Sequence, residues 1–122
     1  MHSIVLDAHH ALVEMILDGE ILFAERLAAF NEIVAAVEET GATRILVTYE
    51  ATARVEIARF EYSNVMASSL AHDPTLSRCR IAYVTPTKVR VDSVTETLAY
   101  ARGFQGERFG NRDAALEWLL AA

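Results

Sequence analysis

Residues 43–49 read Thr43-Arg44-Ile45-Leu46-Val47-Thr48-Tyr49, and the unbroken apolar run Ile45-Leu46-Val47 at their centre decides the fold. A strand with one face in water alternates apolar and polar residues. A continuous apolar run calls for cover on both faces, as in the inner strand of a helix-covered sheet. Just upstream, Phe23, Leu27, Phe30, Val34 and Val37 recur every three or four positions between Leu22 and Thr40. That spacing puts them on one stripe of a helix, with Glu25, Arg26, Glu32, Glu38 and Glu39 expected mostly away from it. Gly41 stands at the position after the helix, where a left-handed backbone costs glycine nothing. A strand before this helix and a strand after it imply a crossover and a parallel pair.

Working outward, Ile4 to Leu6 and Ala11 to Leu17 form an opening hairpin linked by Asp7, Ala8, His9 and His10, and Asp18-Gly19 ends the second strand. Beyond the central stretch, residues 53–71 carry a second helical pattern, with Ile57 or Ala58, Tyr62, Val65 or Met66, and Leu70 facing the sheet. Cys79 to Val84 is a second inner strand ending at Thr85-Pro86, where proline disfavours continuation. Val91, Val94, Leu98 and Ala101 define a third helix stopped by Gly103, and Gln105 to Phe109 is a last short strand. Asn111 caps a final helix whose apolar side is Ala115, Leu116, Leu119 and Leu120, with Trp118 adding to its burial. The order β-β-α-β-α-β-α-β-α predicts one α/β domain over residues 1–122, with about five strands and four helices.

Composition agrees with this. At 122 residues the chain is one domain's worth, and 52% apolar residues supply a real core. Cys79 is the one cysteine, which excludes an intramolecular disulfide and a thiolate zinc cluster. No leader-like segment opens the chain and no apolar stretch approaches about 18 residues, so a soluble, cytoplasmic protein without integral membrane association is expected. Residues 1–61 hold 4 Arg against 11 Asp and Glu, whereas residues 62–122 hold 7 Lys and Arg against 6 acids. An acidic half and the lack of a lysine-rich stripe argue against nucleic acid as a partner.

The string Arg80-Ile81-Ala82-Tyr83-Val84, followed later by Phe109 and Ala115-Leu116-Glu117-Trp118-Leu119, resembles the SpoIIAA-like branch of the STAS superfamily. The resemblance extends to the Gly19 turn before the long helix, to Arg44-Ile45-Leu46-Val47 and to His72, and so covers nearly the whole chain. It implies a small cytoplasmic α/β module. In the best-known relatives, anti-sigma factor antagonists, the module binds a kinase and is switched by phosphorylation of a serine at a helix start beyond a central strand. Here that region reads Thr48-Tyr49-Glu50-Ala51-Thr52-Ala53-Arg54-Val55-Glu56 and has no Asp-Ser pair. Thr52 is the nearest hydroxyl and therefore the candidate phosphorylation site; a phosphate there would add up to about two negative charges. Relatives also carry a threonine where Leu22 stands and an aspartate where Thr48 stands.

In an open parallel sheet, ligands meet the loops beyond the carboxyl ends of the strands. Those loops offer Tyr49, Glu50 and Thr52 after one inner strand, and Thr85, Thr87, Lys88 and Arg90 after the other. Lys88 and Arg90 beside a helix start could hold an anion, and the simpler alternative is a solvated helix start capped by Thr85 or Thr87. The five glycines form no phosphate loop, and no cofactor motif is present. His2, His9, His10 and His72 make no metal signature; Asp7, His9 and His10 form only a weak exposed candidate, because alternating strand directions would separate the rings. Cys79 between Arg78 and Arg80 reads as a small buried hydrophobe rather than a nucleophile. With no catalytic set in view, the expected function is a noncatalytic regulatory or protein-binding module. The alternatives are a carrier of a small apolar or amphipathic ligand, anchored by Tyr49 and Tyr62, and an uncharacterised enzyme using the strand-end loops. An unpaired edge strand or an exposed helix face also leaves a homodimer open.

Overall fold

Ile45 and Leu46 have no measurable solvent exposure although their side chains point to opposite faces, which requires a layer on each side of their strand. The computed structural model describes residues 1–56, 74–86, 89 and 106–121, without the side chain of Ser77, and supplies both layers. The elements in chain order are β1 (His2–Asp7), β2 (Leu12–Leu17), β3 (Glu20–Ile21), α1 (Phe23–Thr40), β4 (Arg44–Tyr49), β5 (Arg54–Val55), β6 (Arg80–Val84), β7 (Gly106–Phe109) and α2 (Arg112–Leu120). Five of the strands form a mixed sheet in the order β1-β2-β4-β6-β7. β1 is antiparallel to β2, and β2, β4, β6 and β7 run parallel, with Thr48 opposite both Ile16 and Val84.

Strand alternation sorts the core by face. Val13, Met15, Leu17, Ile45, Val47, Tyr49 and Ile81 pack under α1 with its Ala29, Ile33 and Val37. Leu12, Leu46, Ala82 and Val84 pack under α2 with its Ala115 and Leu119. The buried stripe of α1 is rotated slightly from the sequence expectation. Arg26 is buried on it, while Phe23, Leu27, Phe30 and Val34 flank it half-buried. A long guanidinium stem covers apolar surface, which a hydrophobic pattern does not register.

The element ends follow local chemistry. Gly41 takes φ 72° and returns its N–H to the Val37 carbonyl at 2.8 Å, closing α1. The Asn111 side chain accepts from the Ala114 N–H at 2.9 Å at the start of α2. Arg44 closes the other end of α2: its Nε donates to the Leu119 carbonyl at 3.0 Å and its Nη1 to the His10 carbonyl at 2.7 Å. A cation on terminal helix carbonyls satisfies acceptors that the helix leaves open. Arg80, the neighbour of Arg44 on β6, lies 3.9 Å above the Trp118 ring.

Three expectations are corrected. The hairpin link is a 3₁₀ turn (Ala8–His10) capped by Asp7, and Ala11 has a left-handed backbone at φ 51°, so β2 begins at Leu12. His9 and His10 therefore do not alternate: their ring centroids lie 4.7 Å apart. Residues 53–56 do not begin a helix. Arg54–Val55 instead pairs in parallel with Glu20–Ile21 as a separate two-stranded ribbon. Two α-helices, rather than four, are found among the described residues. The remaining helical expectations, over 57–71 and around Val91 to Ala101, together with His72 and Gly103, lie outside those residues.

Leu119 is fully buried where α2 meets β4 and β6. Leu119→Ala is expected to lower unfolding free energy by about 2–5 kcal/mol, the usual range for leucine truncation in a core. Urea denaturation of the purified variant measures this; a loss below about 0.5 kcal/mol would contradict the packing of α2.

Candidate functional site

Because β2, β4, β6 and β7 are parallel, their carboxyl ends share one edge of the sheet, where Asp18, Glu50, Thr85 and Gly110 follow them. Pairing of Thr48 with Val84 brings Tyr49 and Thr85 out of neighbouring strands at the same end. The exits after β2 and β4 are stitched into one body. The Glu50 N–H donates to the Leu17 carbonyl at 2.9 Å, Ala53 closes a turn onto the Glu50 carbonyl at 3.0 Å, and the Arg54 N–H donates to the Gly19 carbonyl at 2.7 Å. Asp18 accepts from the Gly19 N–H at 2.7 Å and from the Thr52 hydroxyl. The Thr52 hydroxyl, then the Gly19 N–H, hold the Asp18 carboxyl below its usual range.

The same ribbon supplies a cap that the local sequence lacks. Leu22 precedes α1 without a side chain to bond its orphan N–H groups. Glu56, just past β5, accepts from the Phe23 N–H at 3.0 Å. A carboxylate at that end also complements the helix dipole.

The expected site residues fall into distinct settings. Glu50 and Thr52 are exposed on the braced turn. Tyr49 is buried in the core under α1. Thr85 is half-buried; its N–H donates to the Phe109 carbonyl at 2.9 Å, and its buried hydroxyl oxygen has no hydrogen-bond partner among the described residues. Thr87, Lys88 and Arg90 lie outside the described residues. Thr52 sits in a turn before a two-residue strand rather than beside a helix start.

Beneath this edge, on the α2 face, lies a polar group that pattern reading missed. Glu14, buried on β2, accepts from Arg112 Nε at 3.0 Å and Nη2 at 2.8 Å, and from the Thr48 hydroxyl at 2.8 Å. Burial pushes its carboxyl up; the Arg112 and Thr48 donors together with the guanidinium charge outweigh that, leaving it below the usual range. Three donors hold the carboxylate, and through Arg112 it anchors the N-terminus of α2. The available signal was a single charge inside the apolar run Leu12-Val13-Glu14-Met15-Ile16-Leu17.

Cys79 is buried, its thiol directed to the Thr75 and Ala42 carbonyls at 3.6 and 3.7 Å. His10 Nδ1 lies 2.7 Å from Asp7 Oδ2. Among the described residues no group of three or more His, Cys, Asp or Glu side chains is arranged to hold a metal ion. No helix among them is long and apolar enough to cross a membrane. No protein-family model matches the chain, and no curated protein matches it.

Arg112→Ala leaves Glu14 buried with Thr48 as its remaining described partner, so its carboxyl is expected to rise above the ordinary glutamate value of 4.5. The linkage sign follows. In the wild type a depressed folded pKa contributes stability present above about 4.5 and lost as pH falls through the folded value; in the variant that contribution reverses. Carboxyl-carbon NMR titration of Glu14 checks the midpoint, and a value still depressed in Arg112→Ala would contradict this assignment.

Proposed function

We propose that the chain is a noncatalytic regulatory or protein-binding module of the STAS-like type, with its contact surface at the edge where β2 and β4 end. The observation that carries this reading is the Glu50–Ala53 turn. It presents exposed Glu50 and Thr52 while its backbone is tied to Leu17 and Gly19 and its Thr52 hydroxyl to Asp18. A surface ordered before contact loses little conformational freedom on binding, which favours recognition. Asp18, Glu20 and Glu50 give it negative charge, suited to a basic partner whose approach is accelerated at low salt. Resemblance to the SpoIIAA-like branch supports a regulatory role over catalysis. So does the commitment of Glu14 and Cys79 to structural contacts.

Thr52 is the position at which modification would act in this reading. A phosphate would replace the hydroxyl proton that Asp18 accepts and set like charge beside Asp18 and Glu50, freeing the turn from its brace. The Thr85 hydroxyl, without a partner among the described residues, favours a second reading, a carrier of a small amphipathic ligand with one acceptor or donor. Native mass spectrometry separates it from the first: a retained mass at one copy per chain supports a carrier.

Recovery of a partner by the wild type, followed by binding measurements on the purified pair, tests the protein-binding role. Glu50→Arg and Thr52→Arg are each expected to weaken the Kd at least about tenfold, or 1.4 kcal/mol. Glu39→Arg, at the far end of α1, should leave it unchanged. Equal affinity for all three variants, or the absence of any stoichiometric partner, would contradict the proposal.

A further inference from the structure

We propose that His2 is a proton-operated latch whose imidazolium form clamps the edge strand β1 to α1 through Glu25 and Glu32. The ring spans two turns of helix: Nδ1 lies 2.8 Å from Glu25 Oε2, and Nε2 lies 2.8 Å from Glu32 Oε2. A neutral imidazole carries one N–H, so it could serve one carboxylate while presenting a lone pair to the other. Both contacts are satisfied together only when both ring nitrogens are protonated. The ring and its Glu25 contact are partly shielded, with side chains 17% and 23% exposed, while Glu32 closes the clamp from the solvent side at 52%.

The surroundings leave carboxylates in excess around the ring. The Met1 ammonium lies 3.0 Å from Glu25 Oε2 and donates to the Asp18 carbonyl, so one positive charge opposes the imidazolium against two carboxylates that favour it. The Asp18 carboxylate is turned to Gly19 and Thr52, Leu17 opposite His2 brings no charge, and Arg26 lies on the buried stripe with Ala29, Ile33 and Val37. The Glu25 hydrogen bond, offset in part by burial and aided by Glu32, holds the His2 pKa above 6.5. A raised folded pKa means that the clamp contributes fully below 6.5 and is lost as pH rises through the folded value. Among the described residues β1 pairs only to β2, so its attachment is the part of the sheet that such a loss would loosen.

The test combines ring-nitrogen NMR of His2 with amide hydrogen exchange across β1, on the full chain between about pH 6 and about pH 9. Both ring nitrogens should be protonated at pH 7 and the midpoint should exceed 6.5. After correction for intrinsic exchange, β1 protection relative to β4 should fall about tenfold for each pH unit by which that midpoint exceeds the unfolded value. Because the Met1 ammonium pairs with Glu25, Glu32→Gln alters the clamp without touching that pair. It should lower the His2 midpoint, and His2→Gln should flatten the pH dependence of β1 protection. A midpoint at or below 6.5, an unchanged midpoint in Glu32→Gln, or β1 protection insensitive to pH despite a raised midpoint would each overturn the latch.

Discussion

Everything in this domain depends on burial of β4 from both sides. Ile45 and Val47 reach one apolar layer and Leu46 the other, so the strand requires parallel neighbours at both edges and a helix over each face. Complete burial of an isoleucine or leucine side chain contributes about 1.5–3 kcal/mol, and several such residues converge here. Water cannot satisfy the backbone of a strand in this position, so β2 and β6 must. Their parallel registers then place the loops after β2, β4, β6 and β7 at a common end, which creates the edge on which the functional proposal rests.

Several polar residues enter this interior with partners. Arg44 occupies the carbonyl end of α2, while Arg112 at the other end meets Glu14 and through it Thr48. Buried ion pairs add little net stability over apolar replacements, because desolvation offsets their attraction. Their value here lies in direction: α2 is pinned at both ends and has one way to lie across β4 and β6. On the opposite face, Glu56 and the β3–β5 ribbon hold the start of α1, and His2 ties β1 to its flank.

The legible features were those written in local pattern. The runs at 43–49 and 79–84, the period of α1, Gly41 and the Asn111 cap each announce themselves within a few residues, and all stand where their chemistry requires. The β3–β5 ribbon did not. Two residues per strand carry no periodicity, and Arg54-Val55 joined a helical pattern that begins beyond it. The Glu14–Arg112 pair, separated by 98 positions, was equally silent, since only the folded sheet brings the two together. At the candidate site the sequence placed Glu50 and Thr52 on an exposed loop but could not show that Asp18 braces them. It also left Tyr49 available for contact, although the alternation of β4 turns that ring into the core.

The proposal of a recognition surface draws on the preformed acidic turn, with Glu14 and Cys79 held in internal contacts. That proposal stands on the parallel β2–β4 register, because this pairing brings the exits after β2 and β4 to one end. Nuclear Overhauser contacts between backbone protons of β2 and β4 measure the register directly. Contacts joining Glu14 to Leu46 and Ile16 to Thr48 are the result expected from the parallel pairing. Contacts joining Leu12 to Thr48 and Ile16 to Arg44 would mean an antiparallel pair, with the two exits at opposite ends, and would contradict the account.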